Sequence, residues 1–187
     1  MEEILSDMLT YSRPDALKPE WVTIDKVIDM AISLSQRRLD EHRVNITLNY
    51  HTGLPTLHAD ATKLRQVFTN LISNAAQSTE CSDTPSIGID VMLELGHEGT
   101  GIRIEICDNG CGINAEEKER IFEPFYTRRA KGTGLGLAIV KRILDQHQAT
   151  ISVEENVPAG SCISVVLPIR PQLQQTEETD VVKETVA

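Results

Sequence analysis

No run in this sequence approaches ~18 consecutive apolar residues, and no cleavable signal peptide opens it, which argues against membrane insertion and secretion of this chain. Basic residues are the scarcer charge: 18 Lys and Arg stand against 28 Asp and Glu, a net charge of −10. Phosphate backbones are bound through Lys and Arg, so this balance disfavours nucleic acid as the main partner, and none is expected. Cysteines are few, at Cys81, Cys107, Cys111 and Cys162, and their spacing shows no framework. Cys107 and Cys111 are four apart, but no second pair or flanking histidine completes a zinc site. They are expected to be structural thiols in a reducing cytoplasm, and the chain to be cytoplasmic.

Familiar phosphate and cation loops are missing as well. A P-loop needs GxxxxGK[ST], yet the residue five after Gly132 is Leu137. GxGxxG fails too, because Leu137 and Ile139 stand where its last glycine belongs after Gly132 and Gly134. An EF-hand pattern starting at Asp108 would need Asp or Asn where Gly110 and Gly112 stand.

What remains is an ordinary soluble composition, 40% apolar and 25% charged over 187 residues, enough for one well-buried domain with tails or for one domain plus a fragment of another. Residues 1–17 carry Ile4, Leu5, Met8 and Leu9 at helical spacing, and Pro14 ends the pattern. Residues 18–23 read as a linker anchored by Trp21. Ile24, Val27, Ile28, Ala31, Ile32 and Leu39 predict an amphipathic helix to about Arg43. Val44, Ile46, Leu48 and Tyr50 alternate as a half-buried strand.

Asp60 is placed to cap a helix over 61–78, with Leu64, Val67, Phe68, Leu71, Ile72 and Ala75 forming its apolar stripe. Asn70, Asn74 and Gln77 share another face, either a solvated face or a functional row. Ile87 to Leu95 and Ile102 to Ile106 alternate as a hairpin that runs into Asp108-Asn109-Gly110-Cys111-Gly112. Asn114 and Glu117 have the spacing of a capping box. Residues 122–131, FEPFYTRRAK, lack periodicity and suggest a mobile lid. Gly132, Gly134 and Gly136 then open a helix to about 147, whose N-terminal N–H groups suit a phosphate chain. A second hairpin follows, over 151–167, and residues 170–187 are polar, acidic and expected to be disordered. Five strands and three main helices predict an α/β fold, a two-layer sandwich with a mixed sheet.

Asn70 and Asn74 on a helix, Asp108-x-Gly110-x-Gly112 at a strand end, the FEPF stretch at 122–125 and Gly132-x-Gly134-x-Gly136 occur in one order. In this the chain resembles the ATP-binding catalytic domain of sensor histidine kinases of two-component systems, within the wider group of gyrase, mismatch-repair ATPases and a heat-shock chaperone. The resemblance covers roughly residues 24–168 and implies a Bergerat-type ATP-binding fold with a mostly antiparallel five-stranded sheet, in an ATP-binding domain over 24–169. It implies ATP and Mg²⁺ as cofactors.

Asp108, an acceptor when ionised, would take the hydrogen bond of the adenine amino group, where guanine has a carbonyl. Gly110 and Gly112 would let the backbone pass close to the base. Asn74, with Asn70 one turn earlier, would ligate Mg²⁺ through oxygen. Gly132, Thr133, Gly134, Leu135, Gly136 and Leu137 would wrap the phosphates, with Arg129 and Lys131 as outer charges, and Phe122 and Phe125 would anchor the lid. The lid's basic residues have no obvious partner until phosphates arrive.

Many members of that family carry Lys or Arg at the position of Gln77, and HGG where this chain has His147-Gln148-Ala149. The first departure removes one phosphate contact that a lid residue would cover; the second reads as a turn variant. Where the gyrase and chaperone branch has a glutamate that activates water, Asn70 stands, and an amide accepts no proton near neutral pH. Phosphoryl transfer to a side chain is therefore favoured over hydrolysis.

The resemblance also implies an acceptor histidine in a His-Glu or His-Asp context on a separate dimerisation domain. Of His42, His51, His58, His97 and His147, only His97 precedes an acid, and it sits in a hairpin turn. Residues 1–17 resemble the closing turns of the dimerisation helix. The chain is expected to be a monomeric catalytic fragment of a homodimeric kinase, membrane-anchored or not, that works with a response regulator. A serine kinase of the anti-sigma type, or a regulatory ATP-binding module that transfers nothing, is the alternative on the same fold.

Overall fold

The computed structural model describes residues 16–96, 99–129 and 132–169. The helical remnant expected at 1–17 lies almost wholly outside these residues; Lys131 and the acidic tail lie outside them entirely.

A five-stranded sheet has the order β2 (Asn45–Tyr50), β4 (Ser86–Gly96), β5 (Gly99–Asp108), β7 (Ser161–Pro168), β6 (Thr150–Glu155). Its β2–β4 pair is parallel and the other three are antiparallel, the mixed sheet that the alternating segments predict. Ile87, Ile89 and Val91 of β4, Ile102, Ile104 and Ile106 of β5, and Ile163, Val165 and Leu167 of β7 are all buried. The opposite face is polar: Arg103 pairs with Glu94 and donates to Ser164 Oγ at 2.8 Å.

The helices α1 (Ile24–Glu41), α2 (Ala61–Ser78) and α4 (Gly136–Gln146) supply the second layer, with a short α3 (Ala115–Arg120) before the lid. The α2 stripe is as its spacing requires, with Leu64, Val67, Phe68, Leu71 and Ile72 fully shielded from solvent. Truncating Phe68 to alanine would remove about 3–5 kcal/mol of stability through lost burial and the cavity left behind.

Asp60 caps α2, its Oδ1 accepting from Thr62 N and Lys63 N, each at 3.0 Å. Its own N–H donates to His147 Nε2 at 3.1 Å, while His147 Nδ1 faces Ile143 O at 2.8 Å. The histidine after α4 thus holds the C-terminal end of one helix against the start of another. This is a structural task, and the turn reading of His147-Gln148-Ala149 lacked it.

Two short strands escaped the sequence reading. The stretch read as a linker, 18–23, carries β1 (Glu20–Val22), which pairs antiparallel with β3 (Leu57–Ala59). Val22 is the buried residue there; Trp21 is half exposed, its ring 5.0 Å from that of His58. Lys18 N donates to Asp60 Oδ2 at 2.9 Å, binding this segment to the cap of α2. No helix among the described residues is long and apolar enough to cross a membrane.

Candidate nucleotide site

Asp108 ends β5 and is buried at 3% exposure, a costly place for a carboxylate unless donors surround it. Its Oδ1 accepts from Gly110 N at 2.9 Å and Ser161 N at 3.4 Å, and its Oδ2 from Ser161 Oγ at 2.8 Å. Asn156 Nδ2 holds its main-chain carbonyl at 2.8 Å. A carboxylate has about four lone-pair sites, so acceptor capacity is left for a further donor. Sequence reasoning missed Ser161 and Asn156, which lie some 50 residues downstream in the second hairpin. No spacing rule links them to Asp108.

The loop after Asp108 is pressed onto the end of α2. Cys111 N donates to Ser78 O at 3.1 Å, and a Cβ on Gly110 would stand 2.2 Å from that same oxygen. Only glycine fits at 110, and the reason visible here is the approach to Ser78. The four cysteines do not fit the expectation of unpaired thiols. Cys81 is paired with Cys111 and Cys107 with Cys162 as disulfides, with Cα–Cα separations of 5.6 and 4.0 Å. Partners 30 and 55 residues apart are brought together by the sheet and the α2 junction, which spacing does not reveal.

Asn70, Asn74 and Gln77 form a half-buried row along α2 that faces the glycine loop and the lid. Asn70 Nδ2 donates to Gly136 O at 3.3 Å, which ties the row to the start of α4 and leaves the amide oxygen as its remaining acceptor. Asn74 Oδ1 receives Arg129 Nη1 at 3.4 Å, and Asn74 O receives Arg129 Nη2 at 3.3 Å. Arg129 also donates to Gln77 Oε1. Partial desolvation lowers the Arg129 pKa, Glu80 opposes this, and the like charges of Arg128 and Arg38 add to it. Arginine nevertheless stays cationic near neutral pH.

The lid is held at more points than its composition suggests. Arg128 Nη1 lies 3.1 Å from Glu117 Oε2, and Nη2 donates to Gly112 O at 3.0 Å. Both described arginines of the lid therefore have partners, contrary to the expectation that they wait for phosphate. Phe125 N donates to Gly134 O at 2.9 Å, and Gly134 has φ +68° with Phe125 backbone 2.4 Å from where a Cβ would be. That conformation and that crowding both require glycine.

Phe125 itself is exposed at 60%, whereas Phe122 lines an open groove with Pro124, Ala138 and Lys141. Gly132 is exposed, Thr133 and Leu137 are half-buried, and Leu135 is buried as the residue preceding α4. Leu135 makes no side-chain capping bond, and its own N–H donates to Thr133 Oγ1 at 3.2 Å just before α4. The short α3 carries the expected capping box, Glu117 N to Asn114 Oδ1 at 2.9 Å and Asn114 N to Glu117 Oε2 at 3.0 Å.

Four separate stretches are thus linked to one another: the α2 row to the start of α4 through Asn70, the lid to α2 through Arg129 and to the Asp108 loop through Arg128, and that loop to the end of α2 through Cys111 N. The donor set suits a nucleotide with a hard cation. It offers amide oxygens for the metal, a guanidinium and a helix N-terminus for phosphates, and a buried carboxylate for a base.

Comparison with known proteins bears on the family and the fold. Residues 59–171 match the family described as histidine kinase-, DNA gyrase B-, and HSP90-like ATPase. The signal transduction histidine-protein kinase AtoS of Escherichia coli (strain K12) is 33% identical over 176 residues, covering 94% of this chain and 28% of its own length. The chain spans about a third of the length of the curated relatives it matches. Among solved structures, full-length ShkA in complex with AMPPNP is 26% identical with a TM-score of 0.76, covering 89% of this chain and 35% of its own. Histidine kinase ThkA in complex with the response regulator TrrA is 27% identical with a TM-score of 0.73, covering 92% of this chain and 48% of its own. A buried carboxylate at a strand end, an asparagine row and a glycine loop, on a fold shared with these kinases, place the chain in the histidine kinase-, DNA gyrase B-, and HSP90-like ATPase family.

Proposed function

We propose that this chain binds Mg²⁺-ATP and presents the γ-phosphate to a histidine on a separate dimerisation domain, from which a response regulator is charged. The observation that carries the reading is Asp108, buried and ringed by Gly110 N, Ser161 N and Ser161 Oγ, with acceptor capacity left for an exocyclic amino group. The two glycine loops, the asparagine row and the family of this chain support it.

Each residue has a separable task. Asp108 selects adenine, since guanine would set a carbonyl against the carboxylate. Asn74 and Asn70 offer amide oxygens to the metal, and Arg129 leaves Asn74 to meet the phosphates. The start of α4 turns its N–H groups toward the same anion. Bound there, ATP would supply the phosphoryl group and Mg²⁺ would screen its charge. Asn70 provides no base for water, so an in-line side-chain acceptor is the fitting nucleophile. The whole kinase of which this chain would form part works as a homodimer in this reading.

Titration calorimetry with ATP, ADP and GTP in the presence and absence of Mg²⁺ tests the proposal. Adenine nucleotides are expected to bind in preference, more tightly with the metal. Equal affinity for GTP would remove the role given to Asp108.

A further inference from the structure

All four cysteines of the chain gather around the proposed base-binding carboxylate. Cys107 directly precedes Asp108, and Cys162 directly follows Ser161, the residue that holds both carboxylate oxygens. Cys111 sits between Gly110 and Gly112, and Cys81 lies one turn past Ser78 at the end of α2. Among the described residues no group of three or more His, Cys, Asp or Glu is placed to hold a metal, so the cluster is two pairs and not a ligand set.

The pairs differ in access. Cys107 and Cys162 are register partners on neighbouring antiparallel strands and are half-buried. Cys81 and Cys111 are both exposed, and their Cα atoms are 5.6 Å apart, within the usual range for a disulfide. Exposed disulfides are the ones that exchange readily with small thiols.

The second pair joins two parts of the proposed site. Ser78 O accepts from Cys111 N at 3.1 Å, and the sulfurs of Cys81 and Cys111 lie 3.5 and 3.4 Å from the same oxygen. In the thiol form the loop is held to α2 by that N–H bond and weak S–H donors. In the disulfide form a covalent link replaces the latter, and the loop can no longer part from the helix that carries Asn70 and Asn74.

We propose that Cys81 and Cys111 form a reversible redox site that tethers the Asp108 loop to α2, opened and closed by exchange with a low-molecular-weight thiol and its disulfide. This role rests on the nucleotide reading of the site. One cysteine thiolate attacks the small disulfide, forming a mixed disulfide and releasing one small thiol. The second thiolate attacks the protein sulfur of that bond and releases the other small thiol. Two protein thiols are oxidised and one small disulfide is reduced to two thiols, so electrons and protons balance. The tether orders the loop before the base arrives, which lowers the cost of binding and slows release.

The test equilibrates the chain across ratios of reduced to oxidised glutathione, traps it by alkylation and maps the peptides. A Cys81–Cys111 linked peptide is expected to appear with oxidation and vanish on reduction, and to be absent from Cys81→Ser and Cys111→Ser. In the oxidised form the amides of 109–113 are expected to exchange more slowly while those of β5 and β7 stay as they are. A fluorescent ATP analogue should then dissociate roughly threefold or more slowly, as expected of a preorganised loop, with no such change in Cys81→Ser. Alkylation of Cys81 and Cys111 that ignores the glutathione ratio would overturn the proposal, as would a bridge that leaves loop exchange unaltered. An analogue that binds in neither redox state would count against the nucleotide reading, while the mapped bridge and loop exchange still decide the tether.

Discussion

Arg129 of the lid donates to Gln77 Oε1 on α2, and from the same guanidinium reaches Asn74 Oδ1 at 3.4 Å. Residue 77 is where the family resemblance leads one to expect a basic side chain, and the cation arrives there from 52 residues downstream. The lid thus brings a positive charge to the last turn of α2, which has no basic residue of its own.

Arg129→Ala is expected to weaken Mg²⁺-ATP binding by about 10- to 100-fold, the value of a charged hydrogen bond of about 1.5–3 kcal/mol. Gln77→Arg in that background should recover part of the loss, because it returns a cation to the same place. Calorimetry on the three proteins decides; a double variant no better than Arg129→Ala would show that the cation's position on the lid is what counts.

Replacing Asp108 by Asn has two expected consequences. The amide is a weaker, neutral acceptor for adenine, and its NH₂ would confront either Gly110 N and Ser161 N at the Oδ1 position or Ser161 Oγ at the Oδ2 position. Nucleotide binding should largely vanish, and stability should fall by about 1–3 kcal/mol, the usual cost of unsatisfied buried polar groups. Ser161→Ala should lose less of both. Unchanged melting of Asp108→Asn would mean that its ring of donors contributes little to the fold.

Asp60 links pH to the same helix. Burial works to raise its pKa, but the N–H groups of Lys18, Lys63 and Thr62 outweigh it, with His147 adding to them, and the net shift is downward. A carboxylate with a depressed folded pKa contributes stability above its unfolded value, about 3.9, and loses it as pH falls through the folded value. Acid unfolding of the native chain below about pH 4 should therefore be steeper than that of Asp60→Asn. At pH 7, Asp60→Ala should cost about 1 kcal/mol as a lost cap. Superimposable acid limbs for the native chain and Asp60→Asn would remove the linkage.

Radiolabelled ATP with Mg²⁺ should leave no label on this chain alone. His147 is tied to Asp60 N and Ile143 O, and among the described residues no histidine is followed by the Glu or Asp of an acceptor context. A histidine-bearing dimerisation domain from the same kinase, added in trans, should take up label slowly, because no tether raises its effective concentration. Acid-stable label on the chain itself would favour the serine-kinase alternative, and rapid release of phosphate would reinstate hydrolysis.

Local pattern was enough for the parts of this protein whose physics is local. A 3.6-residue stripe and an N-cap aspartate defined α2 at 61–78, and alternation defined the main strands, because burial on one face leaves its period in the sequence. The Asn114–Glu117 capping box was readable for the same reason, its partners being three residues apart. The order of the asparagine, aspartate and glycine stretches pointed to the family before any packing was known.

Tertiary structure alone decided what depends on segments far apart in the chain. β1 and β3 are three residues each, too short to show a period, and exist because they pair with one another. Ser161 reaches Asp108 across 53 residues, Arg129 reaches Asn74 across 55, and Cys81 meets Cys111 across 30. A lone serine, arginine or cysteine carries no periodicity, so its partner is set only when the sheet and α2 close around the site.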